Sequence, residues 1–435
     1  MKITATGDAL LIQGFPEDGY EGFDEVKDFI MRGDARLGNL ETTVTDWDTY
    51  PSAYSGGTWL SCEPRVLDQY LRLGINFISL GNNHGMDMGP DGLLETVENV
   101  KRRGVAFAGA GADLTKASEP AYRTFKSGRV AFISITASFN DAARAGLTTR
   151  TMKGRPGINP MRKKFIISIT PEHFEVLREI IANTKINGSR EICIRDGFYP
   201  KFPEGTLRIG DYTFVRTENG REEKGTRCNK HDLERTAASL KDASYIADYR
   251  IVYSHNHVIK GDDMGEPDDA EFEFAHFCID SGADAFIGTG VHEFQPIEMY
   301  KGRPIFHSLG NFCFQSNMLA YQPYDQFEKF GYPPTMTDIQ IMADKNKDWT
   351  IGLHTKKECF RTAIPYLEYD RNRLIKAEIL PVELGFEKER TFKGIPYRAN
   401  EKQTKEIYER LASLSEPFGT KLVLRQDGIM EIVLD

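Results

Sequence analysis

The sequence has little that would cross-link, export or anchor the chain. Its 435 residues include six scattered cysteines and no Cys-x-x-Cys pair, so we expect free thiols in a reducing compartment rather than a disulfide framework. The N-terminus lacks the charged and then apolar segments of a signal peptide. No window approaches the ~18 apolar residues needed to cross a bilayer. We therefore expect a cytoplasmic protein without a membrane segment.

The sequence also lacks the features that are typical of several classes of function. Lysine and arginine number 55 against 64 aspartates and glutamates, a net charge of −9, which argues against a nucleic-acid binder. There is no Gly-x-Ser-x-Gly elbow for an acyl hydrolase and no Walker A sequence. We interpret Gly109-Ala110-Gly111-Ala112 as a turn rather than a phosphate loop, and Cys313 as a packed thiol rather than a nucleophile.

What is present is an alternation of short apolar runs with amphipathic helical patterns, which predicts an α/β fold. The chain exceeds the ~250–300 residues at which single cores stop growing. The rhythm holds over the first ~135 residues, breaks at about 137–239, and resumes from Asp232. We therefore expect one domain over residues 1–315 with an insertion at about 137–239. Residues 316–435 would form an extension that packs on the same domain.

Polar residues of the kinds that bind metals follow five of the predicted strands. In open α/β sheets, ligands bind at the carboxyl ends of the strands. Carboxylates, an amide oxygen and imidazoles together suit a divalent cation such as Mn, Zn, Fe or Mg. The residues at these strand ends are Asp8, Glu41, the pair Asn83 and His84, His255 with His257, and His292.

Each of these residues, taken alone, also has a structural explanation. Asp8 and Glu41 are typical of caps and turns, and Gly81-Asn82-Asn83-His84-Gly85 is an obvious turn sequence. His255 and His257 would share a face if their strand continued, and which of them belongs to a site stays open. The other histidines are interpreted as surface or cap residues (His173, His231, His354), as structural (His276), or as a neighbour of the site (His307).

These residues, in this order, carry a family resemblance. The sequence resembles the CapA family, the capsule and poly-γ-glutamate synthesis proteins of the calcineurin-like metallophosphoesterase superfamily, over about residues 1–315. The matching segments are Thr6-Gly7-Asp8, Gly38-Asn39-Leu40-Glu41-Thr42, Ser79-Leu80-Gly81-Asn82-Asn83-His84 with Asp87 and Gly89, Arg155-Pro156-Gly157-Ile158-Asn159-Pro160, Gly282-Ala283-Asp284, Ile287-Gly288, His292, Gln295-Pro296-Ile297-Glu298 and Ser308-Leu309-Gly310-Asn311-Phe312.

The resemblance implies a four-layer α/β/β/α sandwich with a metal site at the strand ends. It implies that His84 transfers a proton beside the metal and that His255 matches the family's strand-end histidine, with His257 as the alternative. The metal ligands that it implies are Asp8, Glu41, Asn83 and His292.

The sequence also departs from the superfamily's pattern. Leu10 stands where a histidine follows the first aspartate, His255-Asn256-His257 replaces His-Trp-Gly, and Gly288-Thr289-Gly290-Val291-His292 replaces Gly-His-His-Pro-His. Fewer ligands favour one firmly bound ion, with two as the alternative. We expect the protein to lack the membrane anchor of the poly-γ-glutamate synthesis members, which argues against a role in a membrane polymerase.

Three hypotheses of function follow. The first is a metal-dependent enzyme that acts on a peptide, γ-glutamyl or other carboxylate-bearing substrate, by hydrolysis or by α-proton transfer, as in CapA-like proteins that epimerise lasso peptides. Its catalytic residues would be His84 and His255, with His257 as the alternative to His255, and these paired bases would remove and return the α-proton. The second is a phosphoesterase with a reduced metal site, and the third is a non-catalytic capsule or polymer assembly factor. Candidate substrate contacts are Arg155, Asn159 and Asn311, with Arg195 and Lys201 as further carboxylate anchors. The sequence leaves the oligomeric state open.

Overall fold

The computed structural model describes residues 1–316, 318–319 and 321–434. Strands and helices alternate through its first 136 residues, close to where the apolar periodicity predicts them. The strands are β1 (Lys2–Leu10), β2 (Ala35–Leu40), β3 (Thr43–Val44), β4 (Ser61–Cys62), β5 (Phe77–Ser79), β6 (Ala106–Ala108), β7 (Ala110–Gly111), β8 (Ala121–Phe125) and β9 (Gly128–Thr136). The helices are α1 (Phe23–Ile30), α2 (Pro64–Leu71), α3 (Gly89–Arg102) and α4 (Leu114–Ser118).

The region predicted as an insertion contains a small sheet of its own. Its elements are β10 (Gly157–Ile158), β11 (Lys163–Ile169), α5 (Pro171–Thr184), α6 (Gly188–Arg195), β12 (Leu207–Ile209), β13 (Tyr212–Arg216) and β14 (Glu223–Cys228). The four strands from β11 to β14 pair in the order β12-β13-β11-β14. Helix α5 begins where the sequence predicts it, since Thr170 caps the backbone N–H of His173 and Pro171 occupies the first turn.

The remaining residues contribute strands to the two large sheets that are described below. The elements are α7 (Lys230–Ser244), β15 (Tyr249–Asn256), α8 (Asp269–Asp280), β16 (Ala285–Gly290), β17 (Ile297–Tyr300), β18 (Arg303–Phe306), β19 (Asn311–Phe314), α9 (Tyr324–Phe330), α10 (Asp338–Lys345), β20 (Arg361–Asp370), β21 (Arg373–Glu383), β22 (Tyr397–Arg398), α11 (Glu401–Ser415), β23 (Leu422–Leu424) and β24 (Met430–Ile432). Short 3₁₀ helices occur at Asp141–Ala143, Leu353–Thr355, Lys357–Phe360, Arg390–Phe392 and Glu416–Phe418.

The long hairpin of β20 and β21 is a difference from the sequence prediction. Pro365 and Pro381 lie within these strands, and proline inside an apolar run weakens the pattern of a strand. Strand β20 pairs antiparallel with the first half of β1, at Lys2 to Thr4. Residues beyond 315 therefore contribute strands to the sheet that contains β1. The domain division itself stays a prediction.

Two large sheets form the centre of the fold. In the first, the order is β23-β24-β21-β20-β1-β2-β5-β6, with β19 beside the second half of β1 and β22 beside β21. In the second, the order is β17-β18-β16-β15-β9-β8, and β9, β15 and β16 run parallel. The expected α/β class is confirmed.

Buried side chains connect the two sheets to each other and to the helices. Ile3 and Leu37 of the first sheet share one apolar cluster with Phe132 and Ile251 of the second. A second cluster joins the first sheet to helices α1, α2 and α3, and a third joins the second sheet to α7 and α8. Each sheet is thus buried on both faces, which explains why its strands read as apolar runs.

No helix in residues 1–316, 318–319 and 321–434 is long and apolar enough to span a bilayer.

Gly7 is expected to be essential to the packing of β1. A Cβ at this position would lie 2.0 Å from the carbonyl oxygen of Gly310, and neither backbone can move without disturbing the sheet. We expect Gly7→Ala to lower the free energy of unfolding by about 1–3 kcal/mol in urea titrations followed by circular dichroism. Gly57→Ala is the control, because a Cβ there meets nothing within 4 Å. Equal losses in the two variants would contradict this account.

Candidate metal centre

Asp8 lies at an irregular point in β1. The register with both β2 and β19 shifts around it, as is common where a strand aims a side chain into a site. Its carboxylate accepts hydrogen bonds from Asn39 Nδ2 at 2.7 Å and from the backbone N–H of Gly290 at 2.8 Å. Burial opposes ionisation, but the charge and hydrogen bonding of His255 outweigh it and lower the pKa of Asp8. Asp8 is therefore held as a carboxylate.

Glu41 follows β2 directly and is completely buried. Neither of its carboxylate oxygens has a hydrogen-bond partner within the described residues. Burial, together with the charges of Asp8 and Asp87, raises the pKa of Glu41 well above its ordinary value. A buried carboxylate without partners is costly, and a bound cation would supply the interaction that the protein does not.

Asn83 and His255 meet across the two sheets. His255 lies near the end of β15, and its Nε2 is 2.7 Å from Asn83 Oδ1. The other ring nitrogen, Nδ1, lies 3.3 Å from Asp8 Oδ1 and 3.2 Å from Thr289 Oγ1. His255 Nε2 is also 3.5 Å from Glu41 Oε1. The side chains predicted from separate strand ends are thus within contact distance.

His257 and His292 also lie near the Glu41 carboxylate. His257 Nε2 lies 3.7 Å from Glu41 Oε1, and its ring is 5.0 Å from that of His292. His292 Nδ1 donates to Asn311 Oδ1 at 2.8 Å. Burial lowers the pKa of both histidines, so both are neutral and able to offer a ring nitrogen to a metal.

The backbone of His292 is strained. Its φ is 65°, in the left-handed region that few non-glycine residues adopt, histidine more often than most. Such strain costs about 1–3 kcal/mol and concentrates at functional sites.

His84 is positioned by a carboxylate of its own. Its Nδ1 lies 2.6 Å from Asp87 Oδ2, and its Nε2 lies 4.0 Å from Glu41 Oε1. Asp87 in turn accepts from the backbone N–H groups of Gly56 and Leu60. This arrangement fixes the ring so that Nε2 faces the cluster, as a proton-transfer histidine requires.

The donors form two groups that share Glu41. One comprises Asp8, Glu41 and His255, and the other Glu41, His257 and His292, with the ligand atoms of each group within 4.8 Å of one another. Mixed carboxylate and imidazole donors suit Mn, Zn or Fe, and the partnerless Glu41 fits a cation in either group. The residues present therefore fit the divalent metal that the sequence predicts, and both His255 and His257 belong to the cluster.

The predicted substrate contacts lie apart from the cluster, except Asn311. Asn311 donates to the carbonyl of Cys359 and orients His292. Asn159 is buried, donates to Ser134 O and accepts from Arg235. Arg155 donates to the carbonyl of Arg144. Arg195 is exposed beside Asp196, and Lys201 is exposed. Their predicted roles in substrate binding stay predictions.

The remaining histidines and Cys313 lie outside the cluster. His173 and His231 are exposed at the first turns of helices. His276 and His307 both contact Glu298. His354 is buried in a 3₁₀ turn. Burial raises the pKa of the Cys313 thiol well above its ordinary value, which suits a packed thiol.

Sequence reasoning assigns no role to Asn39, Asn82 or Asp87, although all three lie within the segments that carry the resemblance. Asn82 donates to Asn39 Oδ1 and accepts from the backbone N–H of His84, so these amides hold the turn against β2. The spacing of Asp87, three residues after His84 in one tight turn, is the signal that identifies it.

Comparison with known proteins identifies a family for most of the chain. The family model for the bacterial capsule synthesis protein PGA_cap matches residues 2–316, which contain every donor of the cluster. Two uncharacterised proteins of Sinorhizobium fredii are 29% identical to the chain over 97% of its length and 91% of theirs.

Named relatives are more distant. The PGA biosynthesis protein CapA of Bacillus subtilis is 22% identical over 67% of this chain and 56% of its own length. A probable polyglutamine synthesis accessory protein of Mycobacterium tuberculosis is 22% identical over 92% of this chain and 77% of its own.

Removing the charge of Glu41 should stabilise the metal-free protein. The pKa of Glu41 is raised in the folded state, so its contribution to stability is present below its unfolded pKa of about 4.3 and is lost as pH rises through the raised value. In chelator, the melting temperature of Glu41→Gln should match wild type at about pH 4 and exceed it at about pH 8. The exposed Glu21→Gln variant is the control. A lower melting temperature for Glu41→Gln at about pH 8 would count against the unpartnered carboxylate.

Proposed function

The chain belongs to the bacterial capsule synthesis protein family, and from that premise we propose that it is a metal-dependent enzyme. Its substrate would be a peptide, a γ-glutamyl compound or another carboxylate-bearing molecule. The observation that carries this proposal is the Glu41 carboxylate, buried without a hydrogen-bond partner among three imidazoles.

The fold that we propose for it is a four-layer α/β/β/α sandwich. This is supported by the apolar cluster shared between the two large sheets and by the helices packed on their outer faces. Such packing puts the carboxyl ends of β1, β2, β5, β15 and β16 at one edge, where Asp8, Glu41 and His255 meet.

The residues divide into those that hold the metal and one that moves a proton. Asp8, Glu41, His255, His257 and His292 would hold one or two divalent ions, and Asn83 Oδ1 lies close enough to His255 to add an oxygen. A bound divalent ion would polarise a carbonyl or carboxylate oxygen of the substrate. His84 is not in either donor group, and its Nε2 faces the same space.

His84 is therefore proposed as the group that accepts and returns a proton. Asp87 holds its Nδ1, leaving Nε2 to act on the substrate or on water. In hydrolysis of an amide, His84 would take a proton from water and give it to the leaving amine. In epimerisation, His84 would take the α-proton from one face of the carbon, and protonated His255, where it does not hold a metal, would deliver a proton to the opposite face.

A second candidate, phosphoester hydrolysis, is favoured by one observation. Two donor groups that share a carboxylate are typical of sites that clamp a phosphoryl group between two metal ions. A non-catalytic role in polymer assembly is the third candidate, since one relative is named as an accessory protein. The partnerless Glu41 favours a metal site in each of these candidates, and the position of His84 beside it favours the two catalytic ones.

Metal binding can be measured directly by plasma mass spectrometry. After incubation with Mn and Zn, wild type should retain about one to two ions per chain, and Glu41→Gln should lose them because Glu41 belongs to both donor groups. His292→Ala should affect only one group. His173→Ala, at an exposed histidine, is the control. Wild-type protein that stays metal-free would contradict the enzyme proposal.

Catalysis is tested by separating His84 from metal binding. His84→Gln should retain the metal and lose about 10²–10⁴-fold in turnover, and Asp87→Asn should show a smaller loss. Peptides ending in glutamate, γ-glutamyl peptides and p-nitrophenyl phosphate should be assayed in deuterated water. Deuterium incorporation without cleavage would indicate proton transfer, and release of nitrophenol would indicate the phosphoesterase. Unchanged turnover in metal-loaded His84→Gln would rule out His84 as the proton carrier.

A further inference from the structure

A cavity of about 900 Å³ lies between the small inserted sheet and the segment after β9. This volume is in the range of ligand pockets, about 300–1,000 Å³. Its lining includes Ser138 and Val258. Ser138 Oγ accepts a hydrogen bond from the backbone N–H of His257 at 2.7 Å, and Val258 is the next residue in the chain. The cavity therefore begins beside the donor cluster.

One face of the inserted sheet forms a wall of this cavity. Ile166 of β11 is in register with Thr213 of β13, which is in register with Arg208 of β12, and all three line the cavity. Lys164 is two residues before Ile166 on the same strand, so it shares their face. Lys164 is on β11 and Arg208 is on β12, with β13 between them. The strands β11 and β12 are therefore about 10 Å apart.

The charges of the lining are mostly positive. Three of its basic residues are paired: Arg144 with Asp141, Arg162 with Asp232, and Lys163 with Asp268. Lys164 and Arg208 form no ion pair within the part of the chain that the structure describes, and Asp211 is the acidic residue of the lining that is likewise unpaired there. Two cations set well apart match separate single charges along a chain better than one compact polyphosphate.

We infer that this cavity binds an acidic peptide segment of the substrate, with Lys164 and Arg208 each facing a carboxylate. This assignment rests on the proposed function, because it places the reacting part of the peptide at the donor cluster beside His257. It adds the specificity-determining residues of the inserted sheet, which lie outside the cluster and hold no metal.

Binding to the full-length, metal-free protein tests the cavity independently of catalysis. A fluorescently labelled pentaglutamate peptide should bind more tightly than a pentaglutamine peptide in anisotropy titrations. The Lys164→Gln/Arg208→Gln double variant should weaken pentaglutamate binding roughly tenfold, or about 1.4 kcal/mol. Asp211→Asn should strengthen it. Arg221→Gln, at an exposed arginine that does not line the cavity, should leave it within about twofold.

The opposite results are equally clear. Equal binding of the two peptides, or equal effects of the double variant and Arg221→Gln, would overturn the assignment. Displacement of pentaglutamate by tripolyphosphate at far lower concentration than by unlabelled pentaglutamate would overturn the choice of carboxylates. If the double variant melts early, Lys164→Gln alone is compared, since Lys164 is exposed. If wild type binds metal but not pentaglutamate, the cavity assignment fails and the enzyme proposal stands. If wild type binds pentaglutamate but no metal, the enzyme proposal fails and the cavity assignment stands.

Discussion

Two carboxylates, Asp8 and Glu41, are buried beside each other, and the rest of the site is arranged around the cost of keeping them there. Asp8 is stabilised by Asn39, by the backbone of Gly290 and by His255. Glu41 lies near imidazoles and near the carboxylates of Asp8 and Asp87, and it has no hydrogen-bond partner within the described residues. Since an isolated buried charge is costly, the pKa of Glu41 is raised, and a bound cation would replace the proton that this favours. Metal affinity and the stability of the apoprotein are thus opposed at one residue.

The sequence predicts this site better than it predicts the chain around it. Strand ends with polar residues are local patterns, and Asp8, Glu41, His84 and His292 lie where those patterns place them because parallel strands of two packed sheets end at one edge. The β20 and β21 hairpin is not predicted, because Pro365 and Pro381 interrupt its pattern and its partner, β1, lies more than three hundred residues away in sequence. Lys164 and Arg208 are missed for the same reason. Only the pairing of β11 with β13 and of β13 with β12 reveals that they share a face.

The inserted sheet is joined to the site by a buried polar network. Lys163 of β11, 3% exposed, donates to Asn256 Oδ1 at 2.8 Å and to Asp268 at 2.9 Å. Asn256 lies between His255 and His257, and its amide also donates to Asp268. Lys163 therefore holds the end of β15 between the two histidines, while its neighbour Lys164 lines the cavity. Because the two lysines are adjacent, movement of the inserted sheet would displace the cavity wall and the histidine strand together.

The energetic costs at this site also indicate its function. The strained backbone of His292 and the unpartnered Glu41 each reduce the stability of the metal-free fold. A glutamine at 41 would relieve one of these costs with little change of side-chain volume, so a protein without a cation at this site would have no physical reason to keep the carboxylate. The Asp87 carboxylate adds a further constraint, since it holds His84 with Nε2 toward Glu41. Such a carboxylate partner is common to metal-binding and proton-transfer histidines, and a metal site alone would explain Glu41 and His292. The feature that favours chemistry over binding is that His84 lies beside Glu41 and yet belongs to neither donor group of the described residues.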